Sequence, residues 1–441
     1  MSETPSPSPS PEPQWAAFVA IDWADQKHCW KMLAAGLEKS EQGTMENTPE
    51  ALAVWAADLR DRFAGRPVAV CLEQSRGSLV YALCKFPHLV LFPVLSTTIA
   101  RYRKAFFPSG SKSDPLDTTL LLDILIHHRE HLRRLDPDTA ETRLLQMLVE
   151  QRRDLVDERT RHSNRLTAWL KMYFPQVLDW VDKIHSPMAC DLLERYPTLE
   201  QLQRVNPAKL RDFFIRHNCR SQKRIQERID AIYKATPAVT DKALLEAGPA
   251  FVKALVAQIQ ALNASITQFE TRIEQVSSTH PEAPLFAHLP GAGPALRPRL
   301  IAAFGTKRER YDTAAELQSY AGIAPVTEKS GNSEWVHFRR ACPHFLRQTF
   351  HEFAAHSIAK CDWARAYYDH QIKQLGKRHH AAVRALAYKW IRVLFACWRD
   401  SKPYDEKIYT SALQKRNSPL AKLTLEWKAV AGFKKPTLKN L

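Results

Sequence analysis

The chain has no pair of cysteines at CxxC spacing, no apolar run long enough to span a bilayer, and no basic start with an apolar core at its N-terminus. Its eight cysteines, Cys29, Cys71, Cys84, Cys190, Cys219, Cys342, Cys361 and Cys397, are scattered. That pattern argues against a structural zinc site and reads as the reduced thiols of a cytoplasmic protein. The missing apolar span speaks against a membrane partner. The opening MSETPSPSPSPEPQ is not a signal peptide, and its composition predicts a disordered Pro/Ser tail over residues 1–14. Acid is also in short supply: 47 Asp and Glu face 63 Lys and Arg, a formal net charge of +16. Such a balance favours a polyanionic partner, nucleic acid foremost.

With 441 residues and 45% hydrophobic content, two or three domains can each bury a core. Residues 15–135 read as α/β. Strands are expected at 16–22, 28–34, 68–73 and 89–94, with a helix over 49–63. Residues 136–280 read as helical. A long Arg-rich amphipathic helix ends at Pro175, and a second follows Pro249. In the second, Val252, Leu255, Ile259, Leu262, Ile266, Phe269, Ile273 and Val276 alternate steps of three and four. That is a heptad seam, predicting a coiled-coil arm, intramolecular or dimeric, or else a helix buried in a bundle. A basic helical insert fills 176–240. A third block, 285–415, is mainly α-helical, and the basic stretch 416–441 is expected to be irregular.

Two strands each deliver an acid at their end: AAFVAID ends in Asp22, and VAVCLE in Glu73. Ionised groups are costly to bury, so such placement calls for a reason. Asp114 and Asp117 head an apolar helix, where Asp114-Pro115 and a further acid also make a helix-start signature. Brought together, the four acids can hold one or two Mg²⁺ ions, since Mg²⁺ prefers hard carboxylate oxygens. Asp25 is set aside as a solvated turn residue and Asp123 as a helix-surface or support residue.

In the third block, LPGAGPALRPRLIAAFG carries Gly291 and Gly293. No strand leads into it and the sixth-position glycine is absent, so it is not a dinucleotide fingerprint. It is a tight turn, either ordinary or with backbone N–H groups facing a phosphate. Further on, EKSGNSE places Ser330 beside Gly331 in a polar loop, and Arg339 and Arg340 follow. On the first long helix, Arg152, Arg153, Arg161 and Arg165 are either a nucleic-acid face or a solvated one.

The succession of Asp22, Glu73, Asp114 and Asp117, a long helical region, then LPGAGP, LIAAFG and YAGIAPVTEKSG resembles the insertion-sequence 110 family of DEDD transposases, the bridge-RNA-guided recombinases. The resemblance runs over about residues 17–405. It implies an RNase H-like (RuvC-like) N-terminal domain with a divalent metal on the four acids. It also implies a coiled-coil middle and a C-terminal transposase domain whose loop serine, here Ser330, attacks DNA. Donor and target DNA, a guide RNA and a homodimer or homotetramer are the implied partners. Where the family carries a Lys/Arg-Gly-Asn turn before Leu-Arg, this chain has RRACPHFLRQ, with Cys342 and Pro343 in its place. Two other functions compete: a RuvC-type nuclease in which water attacks, and a non-catalytic nucleic-acid-binding protein whose acids are caps and surface charges.

Overall fold

The computed structural model describes residues 14–106 and 114–431. The tail over 1–13, for which disorder is expected, and the SGSKS stretch at 109–113 lie outside the described residues. Two compact units divide the chain between Pro137 and Asp138.

The first unit comprises β1 (Ala17–Asp22), β2 (Lys27–Ala34), β3 (Glu41–Glu46), α1 (Pro49–Arg62), β4 (Val68–Leu72), α2 (Ser78–Leu83), β5 (Leu89–Pro93), α3 (Ser96–Phe106) and α4 (Asp114–His127). The sheet order is β3-β2-β1-β4-β5. β1, β2 and β3 form an antiparallel meander, and β4 and β5 run parallel to β1. The central strands are buried on both faces, which is why they read as continuous apolar runs. Ala17, Val19, Ile21, Val68, Val70 and Leu72 pack on one face with Leu52 and Leu59 of α1 and Leu79 of α2. Ala20, Ala69 and Cys71 pack on the other with Ile99 of α3 and Leu121 and Leu125 of α4. Full burial of each Val, Ile or Leu contributes about 1.5–3 kcal/mol. α1 begins where Thr48 accepts the Ala51 N–H and Pro49 fits the first turn.

The second unit opens with α5 (Ala140–Tyr173), followed by α6 (Val177–Trp180), α7 (Pro187–Arg195), α8 (Leu199–Gln203), α9 (Pro207–Arg216), α10 (Gln222–Lys234) and α11 (Lys242–Ser278). α5 and α11 are antiparallel partners. Thr142 bonds His280, Arg152 bonds Glu270, Arg159 bonds Asn263, and Gly248 lies against Tyr173. As one residue number climbs the other falls, so the two helices stay in register for about 50 Å. The first part of the heptad seam packs within the chain: Val252, Leu255 and Ile259 share a core with Leu166 and Leu170 and the insert helices. α11 begins at Lys242, before Pro249, which it carries internally. Gly248 leaves room for the Tyr173 ring, which an added Cβ would meet at 2.9 Å.

The chain continues through α12 (Ala283–Phe286), α13 (Arg297–Phe304), α14 (Ala314–Tyr320), β6 (Val326–Ser330), β7 (Ser333–His337), α15 (His344–Ser357), α16 (Asp362–Lys373), α17 (His379–Arg399), α18 (Glu406–Lys415) and α19 (Pro419–Ala431). These helices share a core with the base of the helix pair, where Leu145, Val149 and Ile273 meet Phe304, Phe350, Trp363, Trp390 and Trp398. The stretch expected to be irregular after 416 is helical over Pro419–Ala431. Leu420 is buried in this core, and Lys428 pairs with Asp362 at 3.2 Å. Its apolar residues, weakly patterned in sequence, are recruited by packing.

Candidate active site

The register of the first sheet decides how its acids meet. Ile21 of β1 pairs with Leu72 of the parallel neighbour β4, so Asp22 and Glu73 follow at the same level on strands about 4.8 Å apart. Side chains alternate between faces. Glu73 lies at the bend just past the end of β4, and Asp22 shares the face of Ala20. This is the face that α4 covers. Lys31, paired with Ala20, donates to Thr119 of α4 at 3.0 Å, so the first turn of α4, with Asp114 and Asp117, reaches the end of β1. Cys29 lies directly opposite Asp22 on β2. Burial, then the charges of Asp114 and Asp22, push its thiol pKa upward. Two of the four acids thus act electrostatically on one sulfur.

Asp117 is different. Its carboxylate is buried, and Arg103 of α3 donates to it through Nε at 3.0 Å and again through Nη2. Arg103 compensates its charge. Asp123 accepts from Tyr102 of α3, and burial first and then Asp123 raise the Tyr102 pKa to about 12. Asp25 is exposed in the β1–β2 turn. Neither Tyr102 nor Arg103 was singled out from sequence. Their adjacency in RYRK, on the helix that precedes the acid-headed one, is the signal available for them.

By chemistry the donor set fits a hard divalent cation: carboxylates on two strand ends and a helix start. Among the described residues no group of three or more His, Cys, Asp or Glu stands at metal-holding distance. Asp22, Glu73 and Asp114 are the residues that would hold such an ion, with Asp117 joining only on release from Arg103.

Ser330 is the last residue of β6, in an exposed two-stranded hairpin rather than an irregular loop. It pairs with Ser333 across Gly331 and Asn332. Gly331 has φ 56°, as the first central residue of a type II′ turn requires. Lys329 pairs with Glu334 at 2.8 Å on one face of the hairpin. Ser330, Glu328, Ser333, Trp335 and His337 share the other. His337 and Glu328 approach to 3.5 Å. His337 opposes Val326, four residues from Ser330 and so about 13 Å along the strand, too far to take its proton.

The remaining candidates divide. Gly291, at φ 86°, is pressed to within 2.8 Å (for an added Cβ) of the His356 backbone, so close packing on α15 explains it. Gly293 is open, and its carbonyl accepts from Leu296 and Arg297 at 3.0 Å. Arg152 ties α5 to Glu270 of α11, and Arg153 ties α5 to Glu352 of α15 at 3.3 Å. Arg161 pairs with Glu158 and Arg165 lies over Phe251 at 5.5 Å, both on the exposed surface. Arg339 donates to the Ala324 carbonyl at 3.3 Å, and Arg340 is exposed.

Residues 19–175 match a family model for the IS110 DEDD domain, described as a transposase. Residues 283–369 match a model described as a transposase of the IS116/IS110/IS902 family. A Streptomyces coelicolor protein named "mini-circle putative transposase for IS117" is 26% identical over 411 residues, 88% of this chain and 95% of that protein. A 43.6 kDa protein of insertion element IS110 from the same species is 28% identical, covering 68% of this chain and 74% of its own length. A 42 kDa protein of insertion element IS900 from Mycobacterium paratuberculosis is 28% identical, covering 68% and 75%. No helix among the described residues is long and apolar enough to cross a membrane.

Proposed function

The chain belongs to the IS110 family of transposases, enzymes that act on DNA, and we propose that it cuts and rejoins DNA through a phosphoserine link at Ser330, aided by Mg²⁺ on Asp22, Glu73, Asp114 and Asp117 and guided by a structured RNA. What supports the reading is that Asp22 ends β1, on the face covered by the acid-headed helix α4, and that Glu73 follows the end of the parallel neighbour β4. A five-stranded sheet of order β3-β2-β1-β4-β5, with an antiparallel meander and two parallel strands, supports an RNase H-like fold.

Bound there, a divalent cation would supply charge stabilisation at the reacting phosphodiester. Asp22, Glu73 and Asp114 are carried by elements fixed by the core, and Arg103 donates to Asp117 on the same helix as Asp114. Ser330 presents its hydroxyl from an exposed turn that a DNA strand can approach. In the step, Ser330 Oγ bonds to phosphorus and loses its proton, while the departing DNA oxygen leaves with the bond's electron pair and takes up a proton. The link conserves bond energy for rejoining. A net charge of +16 supports binding of DNA and a guide RNA, and nucleic acid that co-purifies with the chain is to be sequenced.

Denaturing electrophoresis of labelled DNA tests the proposal. Wild type is expected to give a protein-linked band that Ser330→Ala abolishes and that needs a divalent cation. Free cleaved ends with no shifted band would make the chain a RuvC-type nuclease in which water attacks. Cation-independent binding without cleavage would make it a non-catalytic binding protein.

A further inference from the structure

We propose that Trp335 is a DNA-positioning residue, stacking its indole on an unpaired DNA base beside the phosphate that Ser330 attacks. The inference rests on the reading of Ser330 as nucleophile and adds what the same hairpin face recognises. In the β6–β7 register Ser330 opposes Ser333, and Glu328 opposes Trp335. Trp335 is therefore on the face of Ser330 and diagonal to it, about 7 Å away at the backbone and closer along a side chain as long as indole.

Trp335 is 52% exposed, and among the described residues its ring stacks on no other ring and lies under no cation. A two-stranded ribbon is marginal by itself, and no ring or cation among the described residues packs Trp335 onto it. What anchors the ribbon is the next aromatic along, Phe338, held between the guanidinium groups of Arg347 at 5.0 Å and Arg384 at 4.8 Å. The root of the ribbon is thus cationic, with Arg339 and Arg340 beside it. On the ribbon the two acids are answered by partners, Glu334 by Lys329 and Glu328 by His337. The charge fits a phosphate backbone, and the indole fits a base whose face is free. Aromatic side chains in cationic grooves hold single strands in this way, with little regard to sequence. A paired base inside a duplex offers no free face, so the contact selects strand ends and opened sites. DNA rather than RNA is the occupant because the indole and the DNA-attacking hydroxyl share one face.

The test uses full-length Ser330→Ala protein, in which no covalent step occurs, and three probes of one sequence: a single-stranded DNA carrying 5-iodouracil, its duplex, and the corresponding RNA strand. Irradiation is expected to cross-link the single-stranded DNA to Trp335, located by mass spectrometry. Adding Trp335→Ala should weaken single-strand binding about tenfold, the scale of one base–aromatic stack, with duplex affinity little changed. Trp335→Phe should restore most of the loss, which a bulky contact of no specific kind would not require. Equal loss on single strand and duplex, no loss on either, or a cross-link favouring the RNA strand would each overturn the assignment. An adduct in the wild-type assay without a Trp335 cross-link removes this inference alone. A Trp335 cross-link with no wild-type adduct removes the serine reading and leaves the base contact standing.

Discussion

The acids and the serine sit on opposite kinds of scaffold. Asp22 and Glu73 leave strands whose neighbours Ile21 and Leu72 are buried, and α4 behind them contributes five buried aliphatic side chains. Ser330 ends a ribbon exposed on both faces, pinned at its root by one aromatic between two arginines. On the proposed function the difference follows from what each has to do. A cation site of carboxylates tolerates little displacement of its oxygens, so a rigid sheet suits it. A hydroxyl that must reach a DNA strand gains from projecting into solvent, where removing or adding a neighbour costs little stability. The same contrast sets the expected outcome of substitutions: chemistry without unfolding at both scaffolds, and unfolding at the buried ties of the second unit.

The largest effects fall on the acids. Asp22→Ala and Asp114→Ala are each expected to lower DNA rejoining by more than about 100-fold, since even outer partners of a metal site are worth 10–100-fold. Circular dichroism should stay unchanged, because neither side chain packs in the core. Loss of fold in either variant would show that the acids are structural. Next comes Arg299, whose buried guanidinium bonds Glu352 at 2.5 Å and Thr349 at 3.1 Å. Removing one partner of a buried pair costs about 3–5 kcal/mol, and Arg153 still answers Glu352, so Arg299→Ala should cost about 3 kcal/mol in urea unfolding.

A smaller loss is expected at Asp138. Its carboxylate accepts from the Thr139 N–H at 2.8 Å and from Thr306 through both amide and hydroxyl. Burial raises its pKa, but those bonds and Arg310 outweigh it, and the net value is lowered. A depressed folded pKa gives stability that is complete above the unfolded value and is lost as pH falls through the folded one. Asp138→Asn should therefore cost about 1–3 kcal/mol near neutrality, and the wild-type advantage should vanish only in acid below the ordinary aspartate range. The smallest effect is reserved for the helix surface. Reversing Arg161 and Arg165 should flatten the salt dependence of DNA binding by about two in log–log slope without destabilising the chain. Reversing Arg152 and Arg153 should lower stability first, since both tie helices together. An unchanged slope in the first pair would clear α5 of nucleic-acid contact.

How much of this was legible in the sequence depends on what had to be read. β1, β4 and β5 announced themselves because burial on both faces leaves uninterrupted apolar residues, while β2, KHCWKMLA, is only half-buried and showed through its β-favouring residues. β3, EQGTME, did not: an edge strand with one solvated face carries no such run, and its partner β2 supplies the pairing. The four acids were visible as strand-end and helix-start residues, but the arginine that holds Asp117 comes from a helix whose role only tertiary packing reveals. The heptad seam left open a coiled-coil arm or a bundle helix, since an apolar stripe does not say what covers it; its first part packs on α5 and the insert helices. The serine hairpin was missed as a structure, although Gly331-Asn332 between β-formers such as Val326, Thr327, Trp335 and Val336 is a two-residue hairpin signal. Polar composition made it read as a loop.

The central claim is a division of labour: carboxylates on a buried sheet serving the cation, and a serine on an exposed ribbon taking the DNA. The most direct measurement is mass mapping of the protein–DNA adduct after nuclease trimming. The account predicts a residual nucleotide on Ser330, formed only with a divalent cation and absent from Asp114→Ala. A nucleotide on Ser333 or any other residue, or no adduct under conditions where DNA is rejoined, would contradict it.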